Sequence, residues 1–182
     1  MKYFLHPGGA DFGTACDQLL RDLGCEAVGT LADADFAIAP RLARKLSVAE
    51  FAMPRLGTLI FHPSALPYRR GPDAIRHTIA AGERVSAVTW FWCSEGLDEG
   101  PICEQEVVVL HPAESPGRAY HSRYVPAGLR ALRRAVEGIL RGTPRRVPQD
   151  ESLATYDTWL TPLDLAAIGK LHYNDQRRDK SE

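Results

Sequence analysis

The sequence predicts an α/β protein, a mainly parallel sheet with helices on both faces. Three observations carry this expectation. Short apolar runs of strand type recur at Lys2 to His6, Phe36 to Ala39 and Gly57 to His62, and continuous apolar runs suit strands buried on both faces. Residues at three- and four-residue spacing, as at Phe12, Ala15, Cys16, Leu19 and Leu20, form the stripe of a helix packed on one side. Glycine or proline then closes the elements, as Gly24 and Gly82 do after helical runs and Pro40 does after a strand. Strands and helices alternating in this way build covered parallel sheets, whose ligands bind at the carboxyl ends of the strands.

In chain order, Lys2 to His6 is a first strand, and Pro7-Gly8-Gly9-Ala10-Asp11 leads to a helix from about Phe12 to Leu23. Strand, glycine turn and helix open a Rossmann-like unit. Without the full G-x-G-x-x-G, Gly8-Gly9 reads as a tight turn before it reads as an anion cradle. Cys25 to Leu31 is short and β-like, and Phe36 to Ala39 is a compact buried strand. Arg41 to Phe51 has the pattern of a short helix ahead of Pro54. After the strand ending at His62 comes a loop dense in Pro, Arg and Gly, then a helix from Asp73 to Ala81 with Asp73 as its cap. Ser86 to Cys93 is β-branched and aromatic, hence a strand. An acidic turn at 94–101, a strand from Ile102 to Leu110 and a helix from Ala127 to Arg141 follow. That helix carries Arg130, Arg133, Arg134 and Arg141 mostly on one face, expected to be solvated. Residues 1–142 are read as one domain. Residues 143–182 are read as an extension in which Tyr156, Trp159 and Leu160 dock on the body and the last ten or so residues are loose.

Composition narrows the function classes. The chain has 182 residues, 45% apolar and 25% charged, with a net charge of −1. That is the mix of a globular domain and supplies no electrostatic drive toward nucleic acid. No run approaches the ~20 apolar residues that span a bilayer, and the first residues read as a strand, so a cytoplasmic protein is expected. Cys16, Cys25, Cys93 and Cys103 lack metal or redox spacing, and the six histidines are scattered. No metal is expected.

The chemistry concentrates in two stretches. Leu59-Ile60-Phe61-His62-Pro63-Ser64 delivers one histidine to the end of a buried strand, where Pro63 ends the ladder. Ser94-Glu95-Gly96-Leu97-Asp98-Glu99-Gly100-Pro101 places carboxylates nearby in fold terms, with Asp98 36 residues after His62. A histidine oriented by a carboxylate, Asp98 or Glu95, is a general acid or base whose tautomer is fixed and whose imidazolium is stabilised.

The run His62-Pro63-Ser64-Ala65-Leu66-Pro67-Tyr68-Arg69-Arg70-Gly71 resembles the "HPSLLPRYRG" signature of formyltransferases that use N10-formyltetrahydrofolate. Leu97-Asp98-Glu99-Gly100-Pro101-Ile102 is similar to their "LDxGPI" loop, and Asp35 to Leu46 looks like the strand and turn bordering their pterin slot. The resemblance implies a formyltransferase-like fold, N10-formyltetrahydrofolate as co-substrate, His62 as the proton-transfer residue and Asp98 as its orienting carboxylate. It also implies a pterin slot walled by Arg44, Leu46 and the turn Ser94, Glu95, Gly96, Leu97 and Asp98. Ser64, Arg70 and Thr89 are assigned to the acceptor side.

Two departures refine what the resemblance implies. The family's catalytic Asn-x-His reads Ile60-Phe61-His62 here, so the side chain that donates to the formyl oxygen is absent. A similar Ile-x-His-Pro occurs in the formyltetrahydrofolate-using domain of a hydrogenase-maturation protein that supplies carbon monoxide. The stretch before Asp35 is also shorter than in typical relatives. These features leave three readings open: transfer to a small amine such as that of a sugar nucleotide, removal of the formyl group without an amine, and a catalytically impaired folate-binding protein. Neither a tRNA nor a membrane is expected as partner, and a homodimer is compatible with the sequence.

Overall fold

The computed structural model describes residues 1–161 apart from 9, 43, 112 and 113. Six strands form one sheet: β1 (Lys2–Leu5), β2 (Glu26–Ala27), β3 (Phe36–Ala39), β4 (Thr58–His62), β5 (Val85–Trp92) and β6 (Ile102–Val109), in the order β2-β1-β3-β4-β5-β6. The first four pair in parallel, whereas β4–β5 and β5–β6 are antiparallel. The helices are α1 (Ala10–Asp22), α2 (Val48–Phe51), α3 (Ala74–Ala80), α4 (Pro116–Ala119) and α5 (Val125–Leu140), with a π turn at Tyr120–Tyr124 leading into α5.

The core lies between the sheet and helices α1 and α5. Leu59 and Phe61 of β4 belong to it, with Phe12 and Leu20 of α1, Trp90 of β5, and Leu132 and Val136 of α5. Phe12 and Phe61 meet edge to face at 4.8 Å between centroids. Gly128 makes this approach possible, because a Cβ there would lie 2.8 Å from the Phe61 ring and 3.0 Å from that of Phe12. Its carbonyl accepts from Trp90 Nε1 at 2.8 Å, so the buried indole is satisfied. Strand residues alternate between faces. With Leu59 and Phe61 turned to the core, Ile60 and His62 face the other way, toward α2 and the loops around it.

Three local expectations change. Among the described residues of the 41–51 segment the helix covers Val48–Phe51, because Ser47 starts it with a capping box. The Ser47 N–H donates to Glu50 Oε2 at 2.8 Å, and Arg44 reaches the same carboxylate from outside the helix at 3.0 Å. Asp73 holds the N-cap position of α3 but makes no side-chain capping bond: it sits at φ 60°, and its carboxylate accepts from Arg76 at 2.8 Å and from the Leu160 N–H at 3.2 Å. The basic face of α5 is partly paired, since Arg134 reaches Glu106 at 2.7 Å and Glu104 at 3.3 Å on β6.

The C-terminal segment crosses the body as a strap. Val147 bridges Ile102 of β6, and Tyr156 bridges Arg70. Of the residues expected to dock, Tyr156 meets Arg70 and the Leu160 N–H reaches Asp73, whereas the Trp159 side chain stays largely exposed; the expectation for the last ten residues lies outside the described residues.

Candidate active site

The antiparallel turn of the sheet alters how the two sequence stretches meet. Because β5 runs opposite to β4, its last residues lie beside the start of β4, where the Cys93 N–H donates to Thr58 O at 2.7 Å. The 94–101 turn, at the carboxyl end of β5, therefore begins at the opposite end of the sheet from the carboxyl end of β4. It reaches His62 by folding back over the sheet face that carries Ile60. Gly100 is needed for this path, since a Cβ there would lie 1.7 Å from Trp92 O.

The turn ends with Asp98 in the left-handed region at φ 55°, unusual for a residue with a side chain. Its Oδ2 stands 3.6 Å from His62 Nδ1 and accepts from the Gly71 N–H at 2.8 Å. The other ring nitrogen, His62 Nε2, lies 2.7 Å from Arg69 O. Each nitrogen of a nearly buried imidazole thus faces an oxygen, and the ring is held by contacts at both ends. Gly71, at φ 94°, supplies the Asp98 contact from backbone that a Cβ would drive into Asp157 O at 2.5 Å.

The expected folate-slot residues lie on two segments, the stretch before α2 and the turn after β5. Leu46 is buried and Arg44 is exposed, its guanidinium bound to Glu50. That pairing, first with Arg44 and then with Ser47, holds the Glu50 carboxyl down to about 2. In the turn, Glu95 and Leu97 are exposed, Gly96 is half-buried, and the buried Ser94 hydroxyl finds no hydrogen-bond partner among the described residues. His6, past the end of β1, lies in the same sheet row as Ala39 and Ile60, since its N–H donates to Ile38 O. Burial first, and then Arg44, hold its imidazole below its ordinary range.

The three residues assigned to the acceptor side stand elsewhere. Ser64 Oγ donates to Tyr68 O at 2.7 Å, and Thr89 Oγ1 donates to Ser64 O at 2.7 Å while accepting from Gln105 Nε2 at 2.9 Å. Both side chains are interior and build the loop after β4. Arg70 has no exposed surface. Its guanidinium donates to Glu151 at 2.7 and 2.8 Å, to Gln149 at 2.9 and 3.1 Å and to the Tyr156 hydroxyl at 2.7 Å. The polar atoms of all three are thus engaged within the fold, and Ser64 also borders a cavity beside the loop. Sequence reasoning missed Gln149 and Glu151 and gave Tyr156 only as a docking residue; the place of the first two in a polar segment after α5 was the one hint that they would be partners. A cavity of about 440 Å³ beside this loop, bordered by Tyr68, Arg69, Glu83 and Asp157, does not include His62 or Asp98.

Cys93, at the start of the turn, is pushed up to about 11 by burial and then by the Asp98 carboxylate. Little thiolate is present near neutrality, and the thiolate is the nucleophile. Iodoacetamide is therefore expected to alkylate Cys93 far more slowly at pH 7.5 than an ordinary exposed cysteine, with the rate still rising as the pH passes 9. Rapid labelling at pH 7.5, read by mass spectrometry, would contradict the environment described. Among the described residues no cluster of His, Cys, Asp and Glu is arranged to hold a metal ion, and no helix is long and apolar enough to cross a membrane.

Known proteins resemble the chain over this same region. Residues 17–136 match the family described as formyl transferase. The human mitochondrial 10-formyltetrahydrofolate dehydrogenase is 38% identical over 104 residues, covering 57% of this chain and 11% of that protein. A methionyl-tRNA formyltransferase from Caulobacter sp. (strain K31) is 37% identical over 124 residues, 68% of this chain and 39% of the relative. The chain thus spans only a small part of the length of the relatives it matches. In fold it is similar to HypX from Aquifex aeolicus, solved with tetrahydrofolic acid, at a TM-score of 0.76 and 22% identity, over 88% of this chain and 30% of HypX.

Proposed function

The chain belongs to the formyl transferase family, and from that premise we propose that it moves the formyl group of N10-formyltetrahydrofolate to the amine of a small acceptor, a sugar nucleotide among the candidates. The observation that carries this reading is the His62–Asp98 pair, 3.6 Å apart, with His62 on the same sheet face as Ile60. In the reaction the acceptor nitrogen attacks the formyl carbon, a new N–C bond forms, and the bond from that carbon to N10 breaks. One proton must pass from the acceptor amine to N10. In this reading His62 relays it through Nδ1, since Nε2 is hydrogen-bonded to Arg69 O, and Asp98 stabilises the ring while it is charged. Arg44, Leu46 and the backbone of Ser94, Glu95, Gly96, Leu97 and Asp98 form the slot for the pterin, where the unpartnered Ser94 hydroxyl is available to a polar ring edge. Tetrahydrofolate release, followed by absorbance with and without candidate amines, tests the reading. Release that requires the amine supports it.

Ile60 favours a second reading, loss of the formyl group as carbon monoxide without an amine, because a side chain with no donor gives less support to the oxyanion that nucleophilic attack develops, and loss of carbon monoxide needs no added nucleophile. Removing one such donor typically costs about 10²–10³-fold. On the leading reading, Ile60→Asn is expected to raise amine-dependent turnover or leave it unchanged. A sharp fall in kcat for that variant would count against an oxyanion seated beside residue 60.

A further inference from the structure

Resting on that reading, we propose that Gln149 is a positioning residue for the reaction, the clasp that holds Asp98 against His62. Its amide group spans the two halves of the site. The two N–H bonds of Nε2 go to Asp98 O and Gly100 O, each at 2.8 Å, and Oε1 accepts from the Arg70 guanidinium at 2.9 and 3.1 Å. One side chain therefore fixes both carbonyls flanking Glu99 in the acidic turn and ties that turn to the loop that follows His62.

The turn needs such a restraint. Asp98 is held at φ 55°, and a non-glycine residue in that region persists only where its surroundings over-determine it. Relaxation of the Asp98 backbone would swing Oδ2 away from the Gly71 N–H and from His62 Nδ1 together. The far end of the clasp is equally anchored. Arg70 N–H donates to Thr155 O at 2.9 Å and Asp157 N–H to Arg70 O at 2.7 Å, so the backbone from Arg69 to Gly71, which supplies both Arg69 O and the Gly71 N–H to the pair, is stitched to the strap. Gln149 bonds the Asp98 carbonyl and acts on the pair through Asp98.

Gln149→Glu separates these contacts: a carboxylate still accepts from Arg70 but offers no N–H to the two carbonyls. The expected result is a fall in kcat of about 10²-fold, the cost of roughly 1 Å of misplacement, with KM for N10-formyltetrahydrofolate within about twofold. If the clasp acts through Asp98, Gln149→Glu adds no further loss in an Asp98→Asn background. The Gly71 amide, freed from its carboxylate, is expected to exchange with solvent about tenfold faster by NMR. Unchanged kcat and unchanged Gly71 exchange overturn the inference, as does a loss that multiplies onto that of Asp98→Asn. Should Gln149→Glu fail to fold, Gln149→Met carries the same measurements. Gly71 exchange needs no substrate, so a wild-type protein inert toward every amine would sink the proposed function while the exchange rate still decides on the clasp.

Discussion

His62→Ala is expected to lower amine-dependent release of tetrahydrofolate by about 10²–10⁴-fold, the usual contribution of a general acid–base residue, and to leave binding of 5-formyltetrahydrofolate nearly intact. The separation follows from geometry. The imidazole is nearly buried at the end of β4 with Arg69 O and Asp98 on its two nitrogens, while the proposed slot draws on separate segments, Arg44 and Leu46 and the backbone of the 94–98 turn. Removal of the ring takes away the proton relay and spares those segments. Binding measured by calorimetry and turnover measured by absorbance would separate the two effects. If kcat survives within about threefold, His62 is not the relay. If binding is lost together with activity while the fold is retained, the folate lies closer to His62 than proposed.

Arg70→Ala is expected to be the most destabilising single change at the site, costing about 3 kcal/mol. This is the low end of the range for breaking a buried ion pair, because Glu151 is largely exposed and its charge is screened by water. For a chain of this size that corresponds to a fall of roughly 6–12 °C in Tm. The side chain has no exposed surface and makes five hydrogen bonds to three residues of the strap. Its loss leaves Gln149 and Tyr156 with empty positions and unfastens the segment that closes on Gly71. Lysine cannot replace it, since one ammonium does not reproduce the planar fork shared among Glu151, Gln149 and Tyr156. Arg70→Lys should recover less than half of the lost stability. A variant with unchanged Tm but a raised KM for the acceptor would return Arg70 to the acceptor side.

Much of the sheet and half of the site were legible in the chain. The Phe36–Ala39 strand and the strand ending at His62 are continuous apolar runs closed by proline, and such runs carry their own boundaries. The α1 stripe did the same at helical spacing. The 41–51 helix was overread because apolar spacing does not reveal where a helix starts; Ser47 and Glu50 decide that through a capping box. Arg70 looked like a substrate contact because arginine in a loop is usually exposed, and nothing local in the sequence signals a full complement of partners more than 75 residues away.

By itself, the sequence determined that His62 ends a buried strand and that an acidic glycine turn follows β5, because strand burial and turn formation depend on neighbouring residues. Only the tertiary structure decided how they meet. β5 runs antiparallel to β4, so the turn starts at the opposite end of the sheet and must fold over it to bring Asp98 within 3.6 Å of His62. The strap decided the rest, through Gln149, Thr155 and Asp157. These contacts join backbone and side-chain groups far apart in the chain, and hydrogen bonds of that kind depend on atoms converging in space, which leaves no period or spacing in the sequence.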